Sequence, residues 1–416
     1  MKAHVIGAGL AGLSAAVEMA SAGVAVELSE AAGQAGGRCR SYYDPQVEAV
    51  IDNGNHLVMS GNAAVARYLA LIGAAEDALA GPDDAVFDFL DLADGARWRL
   101  RPNAGPVPWW VFAGARRTPG TKAADHLALG GLLLAASGRT VGEAVPTDTV
   151  LWRRLIDPVM RAALNTEPAR GSARLAAAIV RETLAKGGRA SRPRIARHSL
   201  AATFVDPAIA TLERLGGAVR LGRRLRAIAF AGGRAVRLRF ADGDVEIGEA
   251  DRVVIATPPW VATELLPGVS APDAFNAIVN GHYMRRPPAG APALLCLIGG
   301  TVEWIFTFED RISVTVSAAD RLVDLSREAL AARLWADVAR ALDLSADLPP
   351  WQIVKERRAT FSATVEQDQL RPATRTRWTN VALAGDWVQT GLPATIEGAL
   401  RSGVAAARLA MAGARG

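Results

Sequence analysis

The sequence predicts an α/β fold: a discontinuous, Rossmann-type dinucleotide-binding domain, an inserted helical region, and a second domain built on a mixed sheet. Three observations carry this. A glycine-rich turn (Gly7, Gly9, Gly12) lies between an apolar run and a helical one at the front of the chain. Buried-strand runs recur far downstream, at 251–256 and 380–384. Between them the periodicity changes twice, first to helical spacing and then to the alternation of antiparallel strands.

The elements follow in order. "KAHVI", 2–6, reads as a short buried strand, and the helix after the glycine turn runs to about Ala22, where Gly23 stops it. "VAVEL", 24–28, is a second strand, and Glu30 stands just past it, 23 positions after Gly7. Gly7 permits the tight turn, Gly9 lets backbone approach a pyrophosphate, and Gly12 lets helix and strand pack closely. Leu10 and Ala11 open the helix, whose free N–H groups and positive dipole end suit phosphates. Glu30, with Ala31 beside it, can accept hydrogen bonds from ribose hydroxyls. An acid here rather than an arginine disfavours a 2′-phosphate, hence NADP. A lone GxGxxG is weak; the strand–turn–helix setting and the acid at the right distance make an accidental turn a poor account.

"EAAGQAGGRCRS" then places Gly36, Gly37 and Arg38 after the second strand, and "IDNGNHLV", 51–58, holds Asp52, Asn53, Gly54 and His56. Both segments resemble the amine oxidase and carotenoid desaturase superfamily of FAD proteins. The resemblance implies that Gly36, Gly37 and Arg38 lie along the FAD pyrophosphate and that the 52–56 loop passes beside the isoalloxazine ring. Two glycines permit close backbone approach and an arginine adds a fork of donors. It also implies that the 216–228 segment offers a backbone contact to adenine near Leu225, and that the strand ending at Ala256 completes the sheet.

Residues 61–199 read as an inserted, mostly helical substrate or lid region, with helical runs at 62–79, 151–168 and 172–188 and strand-like pieces "AVFDFLD" and "ARWRLRP". Residues 1–60, 200–262 and 376–416 form the FAD-binding domain. Residues 263–375 form a substrate domain with an antiparallel meander and a helix at about 326–343.

The last part carries a second glycine-rich start. "NVALAGDWVQTGLPATIEGALRSG" runs from a buried strand into Gly385 and Asp386, then into a helix beginning at about Thr395 or Ile396, just after Ala394. In the superfamily setting, Asp386 faces the ribityl chain or a phosphate. The helix N-terminus faces the flavin edge that turns anionic on reduction, and its dipole favours that form. The first glycine turn holds the pyrophosphate and the last one the redox ring.

"DNGNHL", "ALNTEPARGSA" at 163–173 and "GDWVQTGLPATIEGALRSG" together resemble the hydroxysqualene dehydroxylase family, the squalene-associated FAD-dependent desaturases of hopanoid biosynthesis. Asn55 departs from the glutamine expected there. The resemblance implies a reductive step: an allylic hydroxyl leaves hydroxysqualene as water, and hydride from reduced FAD gives squalene. A long isoprenoid binds through its CH₂ groups at about 0.8 kcal/mol each, and "VPWWVF", "LGGLLLA" and "PALLCLI" are expected tunnel lining. His56 is the first candidate acid for the departing hydroxyl and Asp52 the second, each with a structural alternative: Asp52 as loop hydrogen-bonder, His56 as support behind the site. Rival readings are an oxidative carotenoid or phytoene desaturase, a flavin amine oxidase, and a non-catalytic flavin-binding scaffold.

The composition bounds the rest. The chain has 416 residues, half of them hydrophobic, and a net charge of +5 carried almost wholly by dispersed arginines, so no nucleic-acid footprint is expected. Cys39 and Cys296 have no CxxC spacing, and a reducing, cytoplasmic setting without a signal peptide is expected. The five histidines show no ligand spacing, so no metal site is argued. The longest apolar run, 126–137, is shorter than the roughly 20 residues that span a bilayer. The greasy substrate implies contact with the cytoplasmic face of the inner membrane. No second dinucleotide fingerprint is present, so NAD(P)H or a redox protein must visit the flavin as external reductant.

Overall fold

The computed structural model describes residues 1–412. Its centre is a sheet of five parallel strands in the order 218–220, 25–29, 2–6, 252–255 and 381–383. Helices cover both faces, so the strands are mostly apolar in their middles; Arg252–Ile255 is buried at every position. The helix Leu10–Ser21 is rich in small residues and packs against the C-terminal helix Ile396–Ala412. Their crossing is close: a Cβ on Gly403 would lie 2.3 Å from the Ala11 carbonyl oxygen. The Ser14 hydroxyl donates to the Leu400 carbonyl at 3.1 Å, closing the same contact.

The second sheet has seven strands, in the order 351–361, 275–283, 312–316, 304–307, 294–298, 87–91 and 97–100. It reaches further than the meander expected within 263–375. The hairpin Phe87–Asp91/Arg97–Leu100, from the segment read as mostly helical, adds its first strand parallel to Leu294–Ile298. The hairpin alternates buried Trp98 and Leu100 with exposed Arg97 and Arg99, so it has one apolar face to cover and an edge to pair. The helix Arg327–Leu342 covers the outer face, capped by the Ser326 hydroxyl and ended by Asp343 in a left-handed conformation (φ 53°).

The helices of the insertion are shorter than their periodicity suggests. Helix Ala63–Leu71 is terminated at Gly73 (φ 64°). The run 151–168 splits into a π-helical turn, Trp152–Ile156, and the helix Asp157–Leu164. Pro158 starts that second piece, because proline suits a helix's first turn and breaks its interior.

Asn165 ends that helix in a left-handed conformation (φ 46°), and here the "LNT" segment has a physical role. The Asn165 side-chain amide donates to Asn276 O and Thr360 Oγ1, and its oxygen accepts from Ala318 N. Thr166 accepts from Ala363 N and from the Asn276 amide. Two adjacent buried residues thus tie the helical insertion to three segments of the second sheet.

Candidate active site

Glycine geometry separates the roles of the first turn. Gly7 has φ 106°, and a Cβ there would sit 2.6 Å from Ala256 O. A Cβ on Gly12 would lie 1.9 Å from Gly7 O, so any larger residue breaks the turn. A Cβ on Gly9 meets nothing within 4 Å; it points into open space. Gly7 and Gly12 are closed by the protein itself, whereas at Gly9 the backbone is open on the side of the cradle.

The other wall of that cradle is also backbone. Gly36 N donates to Ala8 O at 2.8 Å, and Gly9 and Gly36 form an isolated bridge. Gly36 and Gly37 are both at positive φ (103° and 56°), which favours glycine. Glu30 closes the front: its carboxylate accepts from Ala8 N at 2.7 Å and Ala32 N at 2.8 Å. Its backbone pairs with Arg220 and Arg223, which brings the segment leading to Leu225 beside it. Ala31 is exposed at the same rim, and Leu10 and Ala11 are buried as the first residues of the helix.

Arg38 and Asp386 are 348 positions apart in the chain, and their side chains meet at 2.7 Å. Arg38 also donates to Ala359 O. Its side chain is 42% accessible although protein surrounds it, so it lines an internal cleft rather than the outer surface. Burial pulls its pKa down, Asp386 pushes it up, and the net effect is upward. Beside it, burial raises the Cys39 thiol to about 12, so no thiolate is available there.

The loop 52–56 borders the same cleft. Asp52 is buried, and its Oδ1 accepts from Ser41 Oγ at 2.5 Å and Leu200 N at 2.9 Å. Burial raises its pKa, with those two bonds opposing. This is the loop-bonding geometry. Asn53 is buried, with its amide 3.3 Å from a Glu356 oxygen, and Gly54 leaves room for Asn280. Asn55 bonds Val314 O and Thr315 Oγ1, pinning the loop to the second sheet. His56 stays partly accessible beside Arg38. Burial, then the Arg38 charge, lowers its pKa to about 4, so the ring is neutral at pH 7.

The C-terminal element reaches the cleft as the sequence spacing requires. Gly385 is at φ 151°, and a Cβ there would strike the Trp387 ring at 2.4 Å. The Trp387 indole donates to Thr257 O, locking this turn to the one after Ala256. Ala394 and Thr395 are partly accessible ahead of the helix that starts at Ile396. Glu397 does not oppose the helix dipole at the cleft: its carboxylate caps Ala64 N and Val65 N of a neighbouring helix and pairs with Arg401.

Two residues escaped sequence reasoning. Arg371 is fully buried and donates to Trp387 O, Asp386 O and Val388 O while pairing with Asp368. It holds the turn that carries Asp386; an arginine among several in "LRPATRTRW" gave no signal for it. Glu303 is 9% exposed, accepts from Ser317 N, and is pushed by burial to about 7. Nothing in its sequence setting marks it.

The expected tunnel lining divides. Trp110, Val111 and Leu132 are buried, as is most of Leu294–Ile298, but Trp109 (67%) and Phe112 (68%) point outward. These two, and with them the exposed Val107 and Leu134 of the same runs, are therefore not lining. The inward face of the second sheet is aromatic instead: Phe89 stacks on Trp98 at 5.3 Å and meets Trp304 edge-on. Both indole N–H groups there are buried without a hydrogen-bond partner.

A cradle made of backbone alone, an acid at its mouth, and an arginine and a helix start deeper in fit a flavin dinucleotide. Residues 10–286 and 297–411 match the model of the family described as flavin containing amine oxidoreductase. The chain is 52% identical over 413 residues to a hydroxysqualene dehydroxylase of Rhodopseudomonas palustris, covering 99% of each. It is 50% identical over 408 residues to one of Zymomonas mobilis, covering 98% of each. The chain belongs to the hydroxysqualene dehydroxylase family, within the flavin-containing amine oxidoreductases. It is an FAD-dependent oxidoreductase. At the level of fold, it is similar to an oxidoreductase from Methanosarcina mazei (TM-score 0.74, 15% identity, 98% and 100% of the chains covered). Cyclohexylamine oxidase from Brevibacterium oxydans is similar too (TM-score 0.67, 16% identity, 99% of each chain covered). These likenesses extend over both sheets and are likenesses of fold.

Proposed function

We propose that this protein removes the allylic hydroxyl of hydroxysqualene reductively and yields squalene. The observation that carries the reading is end-to-end identity of 50–52% with three hydroxysqualene dehydroxylases. Gly9, Gly36, Gly37 and Arg38 hold the pyrophosphate; Glu30 and Ala31 hold the ribose, and the backbone near Leu225 the adenine. Asp386 takes the ribityl chain, and Ala394, Thr395 and Ile396 face the redox edge. Bound and reduced, FAD would supply the hydride. The carbon–oxygen bond breaks, the hydroxyl takes a proton that solvent supplies through the hydrogen bond of the neutral His56 ring and leaves as water, and the hydride's electron pair forms the new carbon–hydrogen bond at the allylic carbon, so that alcohol, hydride and proton give hydrocarbon and water. The aromatic wall of Phe89, Trp98 and Trp304 suits both the hydrocarbon and a transient positive charge on it. In this reading His56 presents a neutral imidazole to the departing hydroxyl, and Asp52 holds the loop.

The reductant is an external nicotinamide or redox protein. The lipid substrate brings the protein to the cytoplasmic face of a membrane; among the described residues no helix is long and apolar enough to cross one.

A single anaerobic turnover tests the chemistry. Reduced enzyme mixed with hydroxysqualene should reoxidise and release one squalene per flavin. Flavin that stays reduced, while oxidised enzyme is bleached by a polyene precursor or an amine, would reverse the direction or change the class.

A further inference from the structure

Twelve large apolar side chains are exposed among the described residues, and five of them fall between Val107 and Leu134. Trp109 and Phe112 stand on one 3₁₀ turn, with rings 6.1 Å apart. Leu127 (75% exposed) and Leu134 (87%) lie seven positions apart, on one side of the helix Leu127–Leu133 and its cap. The turn and the helix are held together from beneath: the buried Trp110 packs edge-on against His126, immediately before the helix, at 5.3 Å.

Charge decides what covers this surface. Residues 101–139 contain Arg101, Arg116, Arg117, Lys122 and Arg139 against Asp125 alone, five minus one, a net charge of +4. Arg116 and Lys122 are exposed and form no ion pair among the described residues. A second copy of the same face would bring like charges together, whereas an anionic lipid surface neutralises them. Aromatic rings beside basic residues suit the headgroup boundary. The helix is seven residues long, so it can lie in that boundary but not cross it.

We propose that the segment 105–134 is a monotopic docking surface. Trp109, Phe112, Leu127 and Leu134 enter a bilayer bearing anionic lipid, and Arg116 and Lys122 contact its headgroups. This deepens the membrane-side reading above, and its test uses no substrate. A failed turnover leaves the docking result standing, and a failed docking result leaves the chemistry standing.

The test is flotation of the full-length holoenzyme with vesicles of phosphatidylcholine alone, or of phosphatidylcholine and phosphatidylglycerol in equal parts. Wild type should float with the mixed vesicles and several-fold less with the neutral ones. Trp109→Ser/Phe112→Ser should weaken binding at least about tenfold, and Arg116→Glu/Lys122→Glu should abolish the preference for anionic lipid. Leu215→Ser, an exposed leucine elsewhere, should bind as wild type does. Flavin content and melting temperature show whether each variant is folded, and the charge pair keeps the test open if the aromatic pair is not. Wild type that does not float, or folded variants that float equally well, would overturn the proposal. So would sedimentation showing that the aromatic pair dissolves a dimer without changing flotation, which would give the face to a second copy.

Discussion

His282 should make the protein acid-sensitive by a calculable amount. It is 1% exposed, with Nδ1 at 2.8 Å from Ser313 Oγ and Nε2 at 3.0 Å from Asp52 O, directly behind the flavin-side loop. Burial first, and then the Arg311 charge, lower its pKa from 6.5 to about 4. Between those values the unfolded chain binds the proton and the folded one does not. Stability therefore rises with pH in this window and is lost as pH falls from 6.5 to about 4. At 1.36 kcal/mol per pKa unit the loss is about 3 kcal/mol. Glu303 works in the opposite sense: burial raises it from 4.5 to about 7, so its folded form keeps a proton the unfolded chain releases, and it costs stability as pH rises through that range. The bare pH profile mixes the two, so the informative quantity is the difference between wild type and His282→Gln in urea unfolding. The variant should be less stable at pH 7.5, having lost a buried hydrogen bond, and the gap should close by about 3 kcal/mol by pH 4. A gap that is the same at both pH values would refute the reasoning, since the ring would then be no harder to protonate folded than unfolded.

Other variants follow from the same geometry. Glu303→Gln should gain on wild type as pH rises from 4.5 to 7.5, the reverse of His282→Gln, in the same unfolding assay. Gly9→Ala should fold with an unchanged melting temperature for the apoprotein but bind FAD more weakly, whereas Gly12→Ala, whose Cβ would lie 1.9 Å from a carbonyl oxygen, should yield little folded protein; flavin titration and circular dichroism separate them. Arg371→Met should destabilise by about 3–5 kcal/mol, because Asp368 loses a buried partner and three carbonyls lose a donor; the melting temperature and flavin retention report it. His56→Gln should retain most of kcat if a neutral hydrogen-bonding ring is what matters, and His56→Ala should lose it.

Much of the nucleotide domain was legible because its requirements are local. A glycine turn between strand and helix has one spacing, and an acid past the second strand has one job. The helix start at Ile396 was readable within a residue for the same reason. The hairpin 87–100 was legible as strands but not as part of the second sheet, because its partner strand lies some 200 positions away and parallel pairing leaves no turn to read. Arg371 was invisible for a related reason. What fixes its role is burial beside three carbonyls, a property of tertiary packing, and arginine is common everywhere in this chain.

The same distinction explains why the flavin side of the site is better defined than the substrate side. In the proposed site FAD would be held by backbone shape, and a backbone that must approach a pyrophosphate leaves glycines in the sequence, with an open Cβ direction at Gly9 among the described residues. A hydrocarbon asks only for apolar surface, which any core supplies, so an inward apolar run and an outward one read alike from sequence. Trp109 and Trp110 are adjacent and identical in type; one is 67% exposed and the other 3%. A tertiary contact decides between them: Trp110 has the His126 ring and the core beneath it, whereas the ring that Trp109 meets is its exposed neighbour Phe112. Trp109 and Phe112 together make an exposed aromatic pair, the kind of surface that marks a partner or a membrane boundary. The greasy residues of this region thus divide by direction, the inward ones building the core beneath the second sheet and the outward ones forming the face proposed to meet lipid.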